Sequence, residues 1–359
     1  MIAIQVLSIF LAAISIIALI ASLLRRDEWW IRMFDFPRLQ ITFITLAAIT
    51  LLLIQISIWD LWIWVLLACM AVCLVYQMAK IYPYTIISQK QVMAYRGKDD
   101  EHTVSLLISN VLTPNKQYQR LIDLVGQCQP DILLTLETDL TWEKELRVIE
   151  ADYPYTVKVP LDNYYGMHLY SRLELSDVEV KYLVDPEIPS IHGDVILPSG
   201  DKVRMHCLHP MPPSPTESDT STDRDAELLM VGKYIDTDNG PVLAFGDLND
   251  VAWSRTTRLF QEISGLLDPR VGRGFYNTFH ADHFLFRWPL DHVFHSNDFK
   301  VKEIKRLKNI GSDHFPMYIK LHLEPRAKDQ QEEPEADQEE EVWAEEKIDK
   351  AAPREELDE

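Results

Sequence analysis

Four short polar motifs could carry chemistry in this chain: Leu136-Glu137-Thr138, Gly246-Asp247-Leu248-Asn249-Asp250, Leu290-Asp291-His292 and Gly311-Ser312-Asp313-His314-Phe315-Pro316. Each closes an apolar, strand-like run, so its carboxylate, amide or imidazole is held rigidly and projects into a cleft. Glu137 offers an oxygen ligand suited to Mg²⁺ or Mn²⁺, which take few protein ligands and keep several waters. Alone, such a Glu is more often a solvated strand-end charge. Asn110 ends the preceding apolar run. It could hold a ligand carboxylate or a water, and reads equally well as a turn residue before Pro114.

Asp247 and Asn249, if the chain stays extended, project from one face toward one site. One could bind or polarise a nucleophilic water, the other hold a phosphoryl oxygen. Asp250 then points away and is expected to cap the next helix. His314 can take a proton from water, with a carboxylate fixing its tautomer. Adjacent residues of an extended strand face opposite ways, so Asp291 is the better partner for His314, and Asp313 is left as a metal or water ligand. His209, ending the run His206-Cys207-Leu208, could donate to a phosphate or leaving oxygen. His206, His280, His283, His292, His295 and His322 take the ordinary structural reading, while His168 and His192 stay open. Arg172 and Arg270 are expected to pair with acids rather than bind phosphate. Zinc-ligand spacing, a Ser or Cys triad and a phosphoenzyme motif are all lacking.

The elements that must position these residues are short Val/Ile/Leu-rich runs: Thr103–Ile108, Ile132–Leu136, Met167–Tyr170, Val178–Tyr182, Val203–Leu208, Val242–Phe245, His292–Phe294, Phe299–Ile304 and Met317–Leu323. Amphipathic segments at Lys116–Gln127, Thr141–Ala151, Asp225–Ile235 and Thr256–Ile263 separate several of them. The lack of a strict βα alternation predicts two packed sheets covered by helices, not a doubly wound sheet. Met211–Asp223, rich in Pro, Ser and Thr, reads as a surface loop beside the His209 motif.

Three apolar runs open the chain, at Ile2–Leu24, Leu39–Ile58 and Leu61–Ala79. Each suffices for a transmembrane helix, with Trp59-Asp60 a tight turn and Trp59, Trp62 and Trp64 in the interfacial belt. The first run lacks a basic leader, so it is not read as a cleaved signal. Trp29-Trp30 and Phe34 are expected to lie along the bilayer surface. Arg25, Arg26, Arg32 and Arg38 follow the first run, and Lys80, Lys90, Arg96 and Lys98 the third. The positive-inside rule therefore predicts a multi-pass inner-membrane protein with residues 80–359 in the cytoplasm. Cys69, Cys73, Cys128 and Cys207 form no disulfide framework, and a reduced setting is the simpler reading, with a Cys128–Cys207 bond as the alternative. The net charge is −20. Residues 324–359 hold 16 acidic and 5 basic positions, and read as a disordered acidic tail serving solubility or docking an unknown partner. The expected organisation is a membrane region at 1–80, a linker at 81–101, a catalytic domain at 102–323 and the tail at 324–359.

In order, Ser109-Asn110-Val111, Leu136-Glu137-Thr138, Leu208-His209-Pro210, Gly246-Asp247-Leu248-Asn249, Trp288-Pro289-Leu290-Asp291-His292 and Gly311-Ser312-Asp313-His314-Phe315-Pro316 resemble the endonuclease/exonuclease/phosphatase superfamily over about residues 100–323. The stretch Gly246–Ser254 resembles a membrane-attached bacterial branch of it. The resemblance implies a four-layered α/β sandwich of the deoxyribonuclease I-like type with the site between the strand ends of two sheets. It implies that Glu137 ligates Mg²⁺ assisted by Asn110 and Asp313, and that His314, paired with Asp291, is the general base. Asp247 would position the attacking water, and Asn249 and His209 would stabilise the developing phosphorane. The apurinic endonucleases carry an acid where this chain has Leu112, which puts a second metal in doubt. The scaffold does not choose the substrate. Membrane attachment and a single basic cluster, Lys300–Lys308, favour a lipid head group or small phosphoester over nucleic acid. A nuclease and a catalytically idle, membrane-tethered interaction module are the alternatives.

Overall fold

The computed structural model describes residues 2–55, 60–236 and 240–351. The N-terminal layer comprises α1 (Ile2–Leu23), a short α2 (Trp29–Arg32), α3 (Arg38–Ile54) and α4 (Leu61–Ile81). Helices α1, α3 and α4 pack on one another through Ala12, Ala48, Leu52, Ile63 and Met70. Two helices are long and apolar enough to cross a membrane, Ile2–Leu23 and Leu61–Tyr84. The expected middle span is shorter than the apolar run suggested. Helix α3 has 17 residues, and it makes a third candidate span only together with Trp29–Asp35, across a 74° bend. Trp59, placed in the expected interhelical turn, lies outside the described residues.

Among the described residues, the following domain holds eleven strands and four covering helices. The strands are β1 (Thr103–Asn110), β2 (Ile132–Leu136), β3 (Tyr155–Val159), β4 (Met167–Ser171), β5 (Leu175–Lys181), β6 (Ser190–Ile196), β7 (Lys202–Leu208), β8 (Val242–Asp247), β9 (Asp291–His295), β10 (Phe299–Arg306) and β11 (Met317–Leu323). The helices are α5 (Tyr118–Cys128), α6 (Leu140–Leu146), α7 (Thr222–Asp236) and α8 (Arg255–Ser264). One sheet runs β10-β11-β1-β2-β4-β3, the other β5-β6-β7-β8-β9.

Burial on both faces explains the continuous apolar runs. Leu106 and Ile108 of β1 and Leu134 of β2 meet Met205, Cys207, Leu243 and Phe245 of the other sheet in the central core. The intervening Leu107 and Leu133 face outward onto Leu121 of α5 and Trp142 of α6. Ala244 and Phe294 of the second sheet likewise pack on Leu228 of α7 and Phe260 of α8. The result is helix, sheet, sheet, helix, as the sequence predicts. Strands β3 and β6 escape the sequence reading. The first is an exposed-to-half-buried edge, and the second interrupts its apolar pattern with buried His192 and Asp194.

The register then gathers the polar ends. β1 and β2 are parallel with Asn110 opposite Leu136. β7 and β8 are parallel with Leu208 opposite Gly246, and Asp247 opposes Asp291 across the antiparallel β8–β9 pair. Gly246, at φ 147°, would place a Cβ 2.0 Å from the Leu208 carbonyl oxygen, so only glycine lets β8 close on β7 here.

Two segments expected to flank the domain pack on it. In the expected linker, Val92 is fully buried in the central core and Ala94 bridges Val301 of β10. The acidic tail, expected to be disordered, forms α9 (Gln338–Ala351) on α7 and α8, where Ala344 packs with Leu229, Leu259 and Ile263. Asp337 and Glu340 form its reciprocal cap, Glu340 N to Asp337 Oδ1 at 2.9 Å and Asp337 N to Glu340 Oε2 at 3.0 Å, a capping box in which Asp stands for Ser or Thr. Lys347 of α9, buried, bonds Asp27 and Asp225 at 2.7 Å each. Burial would raise the Asp225 carboxyl, but Lys347, Arg224 and Arg32 outweigh it and hold it far below the carboxylate range.

The loop before α3 is likewise clamped to the domain that follows. Trp29 N donates to Asp219 O at 2.9 Å, Trp253 Nε1 donates to Asp35 O at 2.7 Å, and buried Arg32 lies between Asp35 (3.0 Å) and Asp250 (3.7 Å). Trp30 remains exposed.

Candidate active site

The gathered strand ends line one cleft of about 380 Å³, whose wall includes Glu137, His209, Asp247, Asn249, Asp313 and His314. Asn110 stands just behind it. Its Nδ2 donates to Glu137 Oε1 at 2.7 Å and to Asp247 Oδ2 at 3.2 Å, so one amide ties the two sheets' carboxylates together. All eight residues expected from the sequence therefore converge, seven in or directly against the cleft and Asp291 one layer deeper.

Asp291 lies beneath His314, whose Nδ1 is 2.8 Å from Asp291 Oδ2. The His314 Nε2 faces the cleft, 3.5 Å from Asp247 Oδ2. Burial opposes a charged imidazole, but Asp291 and Asp247 outweigh it and raise His314 to about 10. Asp291 itself is pushed up by burial, against the pull of His314. His209 sits with Nε2 4.0 Å from Asp247 Oδ2. Burial lowers it to about 4, leaving a neutral ring able to donate one N–H.

Asp247 and Asn249 do not share a face by pleating, as an extended chain would have it. The strand ends at Asp247, Asn249 adopts φ 50°, and its N–H donates to Asp247 Oδ1 at 2.9 Å. A turn brings both side chains to the cleft. Asn249 Nδ2 is held by the Pro210 carbonyl at 3.0 Å. Leu112 (φ 60°) and Glu137 (φ 61°) are also left-handed; such conformations persist where the surroundings over-determine them, as at ligand sites. Asp250 caps nothing itself. Ser254 is the N-cap of α8, and its hydroxyl donates to Asp250 Oδ2 at 2.6 Å.

The donor set suits a hard cation. Glu137 Oε2 is buried without a hydrogen-bond partner, and burial first, then Asp313 and Asp247, push the carboxyl up to about 7 against the pull of Asn110 and His314. A buried, unpartnered carboxylate oxygen among further acids is what a divalent ion relieves. Asp247, Asp291 and His314 also bring ligand atoms within 4.8 Å of one another. Asp291 Oδ2 is already engaged by His314, however, so Glu137 with Asp313 is the freer ligand pair.

Several wall residues escaped the sequence reading. Tyr165 hydrogen-bonds Glu217 and tilts its ring 5.4 Å from that of His209. Phe279 lies 5.0 Å from the His314 ring, and Phe36 reaches the cleft from the loop before α3. Their only signal was position: Glu217 in the Pro/Ser/Thr loop, Phe36 in the interfacial segment. His206, read as structural, faces His192, which the sequence left open, at 2.8 Å, and His292 lies between Arg270 and the Asp250 carbonyl. Arg270 is paired with Asp268 at 2.8 Å, fully buried.

Residues 107–314 match the family model described as the Endonuclease/Exonuclease/phosphatase family. No curated protein matches the chain. Similar solved structures include the human Nocturnin catalytic domain with bound sulfate, at 15% identity and TM-score 0.51, covering 63% of this chain and 96% of that one. D. rerio TDP2 complexed with a single-strand DNA product matches at 15% identity and TM-score 0.50, covering 61% of this chain and 99% of that one. An endonuclease/exonuclease/phosphatase from Beutenbergia cavernae matches at 15% and 0.50, covering 62% of this chain and 72% of that one.

Proposed function

The chain belongs to the endonuclease/exonuclease/phosphatase family, whose members hydrolyse phosphoester bonds, and from that premise we propose a membrane-anchored, divalent-metal-dependent phosphoesterase. Its substrate is a phosphodiester or phosphomonoester, with a lipid head group or small phosphoester favoured over nucleic acid. The observation carrying this reading is the single cleft in which the Asp291–His314 pair, Asp247 and Glu137–Asn110 converge beside Phe36 of the membrane region.

His314 is the general base. Asp291 holds its Nδ1–H, so Nε2 is the atom that takes the proton from water. Asp247 Oδ2, facing that nitrogen, positions the water for in-line attack. Neutral His209 and the Asn249 amide donate to the phosphoryl oxygens as charge grows on them. Glu137, assisted by Asn110 and Asp313, would hold Mg²⁺ or Mn²⁺, which would supply charge neutralisation for the phosphoryl group and, by its positive charge, favour the neutral imidazole.

The catalytic domain and both basic loops are placed on the cytoplasmic face of the inner membrane, because Arg25, Arg26, Arg32 and Arg38 follow α1 and Lys80 ends α4. The reading is tested with the full chain on bis-p-nitrophenyl phosphate, phospholipid vesicles and plasmid DNA, each with Mg²⁺, Mn²⁺ or EDTA. Turnover lost with EDTA, Glu137→Ala and His314→Ala supports it. Robust DNA cleavage that His314→Ala abolishes would make the chain a nuclease instead. A folded chain that binds neither ion would be the idle module.

A further inference from the structure

Among the described residues, the longest run of exposed large apolar side chains outside the N-terminal helices is at the tip of one hairpin. Phe284 is 79% exposed, Leu285 69% and Phe286 54%. Three consecutive large apolar residues at a loop tip are costly in water and mark a contact surface. The hairpin's neck is firm: Phe279 bridges both Trp288 and His314, and Ala281 N donates to Asp313 O at 2.6 Å. The neck therefore carries the backbone of the Asp313-His314 segment, and the Phe279 ring forms part of the cleft wall.

The tip points at the N-terminal helical layer. Gln40 Nε2, in the first turn of α3, donates to Leu285 O at 2.5 Å. In that same part of α3, Leu39 and Phe43 are exposed, which makes the tip continuous with the apolar surface of the helices. At the base, Phe36 meets Trp288 edge-on at 5.7 Å. Arg287 lies over Phe284 at 5.5 Å and over Phe315 at 4.9 Å, so a cation sits at the level where an apolar tip would give way to phosphate headgroups.

We propose that the 279–288 hairpin is a bilayer-inserted lip of the active cleft, with Phe284, Leu285 and Phe286 in the leaflet beside α3. This sets the cleft mouth at headgroup depth. Resting on the phosphoesterase reading, it makes the substrate a phosphoester presented by that leaflet. Occupants other than lipid, a second copy or a protein partner, would cover the tip without contact with acyl chains.

The full chain, with Cys69→Ser and Cys128→Ser, is labelled with an environment-sensitive fluorophore at Leu285→Cys, and separately at Phe284→Cys in case one variant folds poorly. It is reconstituted into phosphatidylcholine–phosphatidylglycerol vesicles with or without spin-labelled lipid. The lip predicts a blue-shifted emission and about twofold or greater quenching by spin-labelled acyl chains, since interfacial insertion reaches the acyl boundary. A Phe43→Cys label should behave alike, and a Glu179→Cys label on β5 should be unquenched. Absence of quenching at 284 and 285 overturns the lip, and a blue shift without lipid quenching overturns it in favour of a protein contact. The measurement needs no substrate, so quenching without lipid turnover leaves the lip standing and refutes only the substrate reading.

Discussion

Asp291 Oδ2 lies 2.8 Å from Nδ1 of His314, and both are buried, His314 in the cleft wall and Asp291 beneath it. The pair joins the first strand residue of β9 to the loop before β11, so each sheet supplies one half. Because Asp291 fixes the Nδ1 proton, only Nε2 can face water. Asp291→Asn should lower kcat by about 10²–10⁴-fold, the span of a general-base contribution. The double variant with His314→Ala should be little worse than His314→Ala alone, since residues acting as a unit are non-additive. Steady-state kinetics on a soluble diester reads both; additive losses would separate the two residues.

The orphaned Glu137 oxygen gives the metal prediction. Glu137→Gln keeps the shape and the Asn110 contact but removes the charge. Calorimetric Mg²⁺ or Mn²⁺ affinity should fall by more than the roughly 10–100-fold that changes behind a ligand cost. Unaltered affinity would move the cation to the Asp247–Asp291–His314 group.

Much of this site was legible as residue types at strand ends. The eight polar residues were named from motifs, and parallel β1–β2 and β7–β8 pairs then bring those ends together. The turn at Asn249 was not, because alternation alone cannot show that Asp247 captures the Asn249 N–H. Phe36 and Phe279 were invisible because their places depend on long-range contacts with no local period. The tail was misread because its helix is defined by a one-sided stripe, Trp343, Ala344, Lys347 and Ile348, set among acids that hide it in composition.

That stripe makes a stability prediction. Lys347 is 3% exposed and Asp225 fully buried. Lys347→Ala removes one partner from a buried pair, which costs about 3 kcal/mol, less the share of Asp225 still compensated by Arg224 at 2.8 Å. Denaturant unfolding in detergent should show the loss. A freely solvated tail would show none.

Glu227 in α7 sets a pH signature of its own. It is buried with Oε1 unpartnered, and burial, then Asp185 and Asp223, push its carboxyl up to about 8 from 4.5. A raised carboxyl contributes stability that is fully present below the unfolded value and is lost as pH rises through the folded one. Relative to Glu227→Gln, the native chain should therefore lose up to about 1.4 kcal/mol per pH unit across that window. Thermal midpoints of both proteins from pH 5 to 8 read the difference; parallel curves would mean Glu227 stays ionised and solvated.

The most direct measurement is turnover of a headgroup phosphoester by the full chain in phospholipid vesicles, followed as released soluble phosphate ester with Mg²⁺ and then with EDTA. The geometry predicts hydrolysis that requires the ion and disappears in His314→Ala. Hydrolysis indifferent to EDTA, or preserved in His314→Ala, would contradict it.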